Sequence, residues 1–337
     1  MESEEHNFKD QDLKDLVLAL EKDKLVLFVG NGLSRIFGLP SWEKLANGCL
    51  YHLADKRTQD FSFGTYNLLK EVSPRQKLSI AFNTNEAVAW EGLRKSLEFK
   101  GKPDDLKTFY ELWTLSPFIL TTNYDTLLED HPAEPFTWSG NLKAPKSLGK
   151  SVDVLKPKDL IEDVKPYFKN ALNPQLIKLH GCSGDDTYEK NNHIITTESY
   201  AEFYNKSKIK DFLRGIFTDY TVLFLGYSLS EMEILEQIVR AGCSNISSSE
   251  VKNPHFMFFS VYQFEKGQPL DGFRKYWEFF NINLIPYEID EKYFAALFDG
   301  IVTLRKAIQT KMFPPGKIDF QESERLGALV REVSKDE

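Results

Sequence analysis

Cysteine is scarce in this chain and never clustered. Cys49, Cys182 and Cys243 are the only three in 337 residues. They form no C-x-x-C pair, so neither a zinc ribbon nor a disulfide framework is expected. Long apolar runs are also missing. Stretches such as "HFMFFSVY" fall well short of the roughly 20 residues that cross a bilayer. The charged opening "MESEEHNFKDQDLKD" lacks the apolar core of a signal peptide. A cytoplasmic location with no membrane partner is the expectation. Clustered base is absent too: 42 Lys+Arg face 50 Asp+Glu, a net charge of −8. Phosphate contacts need grouped Lys and Arg, so direct nucleic-acid binding is not expected. No G-x-S-x-G elbow and no H-E-x-x-H pair occurs, which removes the usual serine-hydrolase and zincin signatures. Cys182 lies two residues from His180, a spacing on a strand-like segment that is poorly placed for a cysteine–histidine dyad.

What remains is an ordinary globular composition, 42% hydrophobic and 27% charged, with an aromatic-rich supply of 26 Phe. The length suffices for one large domain or two modest ones. Leucines at helical spacing predict a helix over residues 11–23, and the apolar run 25–29 (LVLFV) predicts a buried strand ended by glycine. Residues 42–112 read as a mostly helical insertion, clearest at 85–97 and 104–115. Further strands are expected at 117–125, 175–181, 221–225, 255–262 and 281–289. Helices are expected at 199–220, after 228 and at 291–309. Residues 131–174, rich in Pro, Lys and Asp, read as a small insertion with little core of its own. Residues 321–337 read as a charged tail to a domain spanning 1–320. Strands alternating with helices imply an α/β fold: a Rossmann-like, mainly parallel sheet with helices on both faces. Ligands in such sheets bind beyond the carboxyl ends of the strands.

Four strand ends carry suggestive residues. The first is Gly30-Asn31-Gly32-Leu33-Ser34. It serves either as a turn that needs glycine for shape or as a cradle whose backbone N–H groups and Ser34 hydroxyl meet a pyrophosphate. Arg35 occupies the third glycine position of a dinucleotide fingerprint, and no Gly-Lys-Ser/Thr follows the loop. The second is Thr121-Thr122-Asn123-Tyr124-Asp125. Asn123 and Asp125 there either cap the segment "TLLED" or hold a water or sugar hydroxyl. The third is His180-Gly181, either a satisfied core histidine or an imidazole left accessible by the glycine and able to exchange protons near neutral pH. The fourth is Gly226-Tyr227-Ser228 within "LGYSLSE". Ser228 or Ser230 can cap the next helix there, with Glu231 or Glu233 in its first turn.

Taken in order, these motifs resemble those of the sirtuin fold, and more closely the SIR2-like domains of bacterial antiphage defence proteins. Sirtuins carry a Gly-Ala-Gly loop, a Thr-Gln-Asn-Ile-Asp segment, a His-Gly pair and a Gly-Thr/Ser-Ser turn. The TTNYD and LGYSLSE forms, "GLPSW" at 38–42 and "IITTESYAEFY" fit the SIR2-like branch, and the similarity runs from about residue 20 to 310. The resemblance implies NAD as substrate and no metal. The pyrophosphate would lie on Gly30, Asn31, Gly32 and Ser34, with Thr122 nearby. Gly226, Tyr227 and Ser228 would lie toward the adenosine. Asn123, Asp125 and His180 would surround the nicotinamide ribose as catalytic residues. The four zinc-binding cysteines that follow His-Gly in sirtuin deacylases are missing, since only Cys182 lies near. NAD hydrolysis to nicotinamide and ADP-ribose is therefore expected over deacylation or a non-catalytic assembly role. Activation is expected from homo-oligomer assembly, a partner such as a DNA-translocating ATPase, or a phage-derived activator, because no sensor domain is recognisable.

Overall fold

The computed structural model describes residues 8–56, 61–101, 109–129, 152–162, 168, 174–244, 253–262, 271–289 and 295–312. Its centre is a seven-stranded sheet. The strands are β1 (Leu25–Val29), β2 (Phe118–Thr121), β3 (Asp153–Leu155), β4 (Gln175–Lys178), β5 (Thr221–Leu225), β6 (His255–Tyr262) and β7 (Ile282–Ile289). They lie in the order β3-β4-β2-β1-β5-β6-β7, and every neighbouring pair is parallel. From β1 the chain moves out to β2 on one side and later to β5 on the other. The strand order therefore diverges at β1, and a crevice opens beyond its carboxyl end.

The apolar strands face two cores. On β1, Leu25, Leu27 and Val29 join one buried cluster, while Val26 and Phe28 join another. That is the period-two alternation of a strand covered on both faces. The first face is packed by α1 (Asp10–Glu21), α7 (Tyr110–Leu115) and α13 (Ala295–Met312), through Leu16, Leu112 and Leu304 among others. The second is packed by α9 (Thr197–Asn205), α10 (Ser207–Asp219), α11 (Met232–Ser244) and α12 (Asp271–Glu278), through Phe203, Leu213, Ile234 and Trp277.

A third core lies in α3 (Trp42–Asp55), α5 (Pro74–Thr84) and α6 (Glu86–Ser96), where Leu50, Leu78, Ala81 and Leu93 are fully buried. Their ends are set by capping. Ser41 accepts from the Lys44 amide, Ser73 forms a capping box with Gln76 ahead of Pro74, and Asn85 accepts from the Val88 amide. Tyr124 and Ile195, from the ends of the sheet layer, complete this core. The helical module thus sits on the carboxyl-end side of the sheet, next to the TTNYD segment.

Several boundaries differ from those read in the sequence. The helical module closes at Leu97, because Phe109, Leu112, Trp113 and Leu115 pack into the sheet core instead. Residues 102–108 lie outside the described residues, as do 130–151 and 313–337. Within the span read as a small insertion, Asp153–Leu155 forms the edge strand β3, paired to β4, and α8 (Pro157–Glu162) buries Leu160. A three-residue strand beside prolines carries too little periodicity to be seen in sequence. The single helix read at 199–220 breaks at Lys206, which is extended (φ −66°, ψ 131°). Thr126–Glu129 form turns and no helix, so Asp125 caps nothing helical; its Oδ1 accepts from the Leu127 amide at 3.2 Å.

Candidate functional site

A cleft of about 630 Å³ opens at the carboxyl ends of β1, β2 and β5, roofed by the helical module. Its floor is built from loops that approach each other more closely than side chains allow. The Gly30 amide donates to Leu225 O and the Gly32 amide to Gly226 O, both at 2.9 Å. A Cβ on Gly30 or Gly32 would stand 2.4 or 2.7 Å from the Gly226 carbonyl oxygen. Gly226 itself has φ +61°, and a Cβ there would lie 2.7 Å from the Leu33 amide nitrogen. The glycines of the first and fourth motifs therefore serve each other: one backbone packs on the other, and both loops are fixed as one surface. Asn31, Gly32, Gly226, Tyr227 and Ser228 line the cleft, whereas Gly30 lies beneath it.

The second motif meets this surface through a buried polar chain. Thr121 Oγ1 donates to Val29 O at 2.8 Å and accepts from the Asn123 amide at 3.0 Å, so it ties β2 to β1 and orients the residue that follows. Asn123 Nδ2 then donates to Ser34 Oγ at 3.1 Å, and Ser34 Oγ donates to Asp125 Oδ2 at 2.8 Å. Ser34 thus joins the first motif to the second and lies behind the cleft wall that Thr122, Asn123 and Asp125 form. Burial pushes the Asp125 carboxyl above the usual range, and Lys178, the Ser34 hydroxyl and the Leu127 amide work against that rise. Lys178 is itself buried. It donates to Asp125 O and, at 2.5 Å, to Glu129 Oε1, and its acidic neighbours hold it charged against the cost of burial. Cys182 donates to the same Glu129 oxygen at 3.1 Å, and burial pushes its thiol up to about 11. A thiol held protonated is no nucleophile, in line with the exclusion of a cysteine hydrolase.

His180 is placed differently from the accessible imidazole that the following glycine suggested. It is 1% exposed and does not line the cleft. Tyr204 Oη lies 2.7 Å from Nε2, and Tyr200 Oη lies 3.1 Å from Nδ1. Burial, with Arg75 nearby, drives its pKa down to about 3, so the ring is neutral at physiological pH. The reason is α9, which presents Tyr200 and Tyr204 one turn apart over the ring. Gly181 is required for its φ of +87°, with a Cβ 2.1 Å from Asn192 O; it does not open the ring to solvent.

Three residues that no strand-end motif marked as site residues complete the wall. Arg75, on α5, pairs with Glu233 through two contacts of 2.6 and 3.3 Å and stacks its guanidinium 3.8 Å over the Tyr200 ring. Tyr200 faces the cleft as well as His180. Glu231 lines the cleft with its Oε2 atom 3.8 Å from His180 Nε2. Because His180 is neutral, that proximity is no salt bridge. Burial raises the Glu231 carboxyl to about 7. The Tyr227 and Thr122 hydroxyls lower it in part, yet neither meets Oε2 in hydrogen-bond geometry, and Tyr227 Oη is likewise unpartnered. Glu231 was visible in sequence as a first-turn acid after a strand, and Tyr200 and Tyr204 as a helical i, i+4 pair. Arg75 carried no signal, because its partner is 158 residues away.

Unpartnered polar atoms in a wall of close-packed glycine loops suit a polar ligand with hydroxyl groups. Among the described residues no group of three His, Cys, Asp or Glu side chains is arranged to hold a metal ion. Among the same residues no helix is long and apolar enough to cross a membrane.

Comparison with known proteins agrees with the geometry. A family model described as a SIR2-like domain matches residues 117–285, the span that carries Asn123, Asp125, His180 and Gly226–Ser228. The Gly30 loop lies outside the matched span but is locked to it through Gly226. Over 228 residues, 66% of this chain, the protein is 24% identical to Defense-associated sirtuin 2 of Bacillus subtilis. The aligned region spans only about a fifth (20%) of that relative's length. The seven parallel strands covered by helices on both faces are the Rossmann-like α/β architecture that the motifs implied. On the matched span, half of its length, and on the motifs within it, the chain belongs to the SIR2-like domain family.

Proposed function

We propose that the chain is an NAD glycohydrolase, cleaving NAD to nicotinamide and ADP-ribose, and that it acts in antiphage defence by depleting NAD. The observation that carries the reading is the chain Asn123–Ser34–Asp125, which fixes an amide and a carboxylate at the mouth of the crevice beside β1. Departing nicotinamide is neutral once the bond to its cationic nitrogen breaks, so no acid is needed to protonate it. What the site supplies is a fixed amide to hold a water or the ribose hydroxyls, and negative charge against an electron-poor sugar. Asn123 supplies the amide and Asp125 the charge. Asn31, Gly32 and Gly226 line the cleft where the pyrophosphate would lie. Membership of the SIR2-like family and similarity to a relative named for defence support the setting.

An unrestrained hydrolase would drain its own cell, so the resting protein is expected to turn over slowly. Activation would come from homo-oligomer contacts or from a partner, such as a DNA-translocating ATPase or a phage-derived activator, acting on the helical module that roofs the cleft. The test is NAD loss, with products identified, by purified protein over a range of concentrations, with Asn123→Ala as control. Equal NAD loss by wild type and a folded N123A protein, or acyl-lysine removal in place of nicotinamide and ADP-ribose, would refute the reading.

A further inference from the structure

We propose that the Arg75–Glu233 ion pair is a latch that holds the site closed by keeping Tyr200 over His180, and that activation draws α5 of the helical roof away from α9 and α11. The inference rests on the hydrolase reading and names the contact that keeps the resting protein slow. In the closed arrangement both nitrogens of His180 are occupied by tyrosine hydroxyls, and the ring centroid of Tyr200 lies 4.7 Å from that of His180. Over the Tyr200 ring stands the Arg75 guanidinium, 3.8 Å from its centroid. Arg75 and Tyr200 line the cleft, whereas His180 is 1% exposed and does not. The arginine and the tyrosine therefore form the cover between the cleft and the imidazole.

Three elements meet at this cover. Arg75 belongs to α5 in the roof, Tyr200 to α9 and Glu233 to the first turn of α11. Arg75 donates to both carboxylate oxygens of Glu233, at 2.6 and 3.3 Å, and a forked pair of this kind fixes where the guanidinium stands. The two side chains are 30% and 24% exposed, so the pair can open to water without stranding a buried charge. One turn further along α5, Ser79 Oγ donates to Arg75 O at 2.9 Å and accepts from the Thr197 amide at 2.8 Å, at the start of α9. The roof thus touches α9 at its first residue and over the Tyr200 ring. Leu50, Leu78, Ala81 and Leu93 pack within the roof, so a contact on its outer face carries α5 with it. Once Arg75 leaves its face, Tyr200 loses its cation partner and can turn its hydroxyl away from Nδ1. The closed and open arrangements then differ mainly by one exposed ion pair and one stack, a gap that a partner's binding can tip.

Two measurements on the full chain test this. Diethyl pyrocarbonate acylates neutral imidazole, and mass mapping of the products reads the exposure of each histidine without any turnover. Glu233→Lys, which lies outside the cleft wall and sets like charge against Arg75, should speed acylation of His180 about tenfold or more, the factor that about 1.4 kcal/mol confers. His255, 3% exposed and held by the Val222 amide, should keep its wild-type rate. A rise at both histidines would mean general loosening of the fold and would refute a specific latch. Adding Arg75→Glu to E233K restores opposite charges and should return the His180 rate toward wild type, which mere loss of an acid from the first turn of α11 would not allow. In the second measurement, E233K should release nicotinamide from NAD about tenfold faster than resting wild type, and the R75E/E233K protein should fall back. Acylation of His180 no faster in E233K than in wild type overturns the latch. So does wild-type turnover that E233K leaves unchanged or lowers, with the hydrolase reading intact. If E233K exposes His180 but no protein releases nicotinamide under any condition, the hydrolase reading falls and the latch stands as a structural device.

Discussion

Replacing Glu231 by glutamine should stabilise the folded protein above neutral pH and do little at pH 5. The carboxyl lies at the cleft wall with its side chain 22% exposed, and burial raises its pKa from 4.5 to about 7. A folded-state pKa raised in this way binds the proton more tightly in the folded chain than in the unfolded one. That preference stabilises fully below the unfolded value of 4.5 and is lost as pH rises through about 7. At pH 8 the ionised group is charged in a poorly solvated place, and the loss relative to low pH is about 3 kcal/mol. About 2.5 kcal/mol of it falls between pH 5 and pH 8. Glutamine keeps the shape and carries no charge, so the difference in stability between E231Q and wild type should grow by that amount across the interval. With 337 residues and about 2 cal/mol/K of unfolding entropy for each, the growth corresponds to about 3–4 °C in Tm. Other titrating groups are common to both proteins and cancel in the comparison. Scanning calorimetry of both at pH 5, 6, 7 and 8 measures it. Melting curves that run parallel over that range would show that Glu231 is an ordinary solvated carboxylate and refute the burial argument.

Further tests concern other parts of the site. Lowered histidines give the opposite sign: His180 near 3 and His255 near 4 are neutral when folded, so stability present above about 6.5 should be lost as pH falls toward 4, seen as a falling Tm on acidification that His255→Gln lessens. Gly226→Ala should cost about 1–3 kcal/mol or more, since it forces φ +61° on a residue with a Cβ and presses that Cβ on the Leu33 amide; unchanged urea midpoints would contradict the loop packing. Arg75→Met should remove the pairing to Glu233 and raise the proton affinity of Glu231, visible as an alkaline shift when its protonated-carboxyl band is titrated by infrared difference spectroscopy; a shift toward acid would contradict the assigned charge balance.

The sequence alone determined the layered architecture and the sheet edge at which the candidate cleft lies. Buried parallel strands must be apolar on both faces, so LVLFV and TVLFL announce themselves, and the polar residues that end them must lie at the carboxyl edge of one sheet. Asn123, Asp125, Asn31 and the Gly226 turn were legible for that reason, together with the order in which they occur. Short or proline-flanked pieces such as β3 were not, because three residues cannot display a period. What only the tertiary structure decided is which groups touch. Ser34 reaches Asn123 and Asp125 across about 90 positions, and Arg75 reaches Glu233 across 158. The burial of His180 under Tyr200 and Tyr204 depends on where α9 settles. Proton affinity follows from desolvation and from neighbouring charge, which are properties of the packed molecule. That His180 is neutral and enclosed, and that Glu231 joins Asn123 and Asp125 in the cleft wall, follow from packing alone.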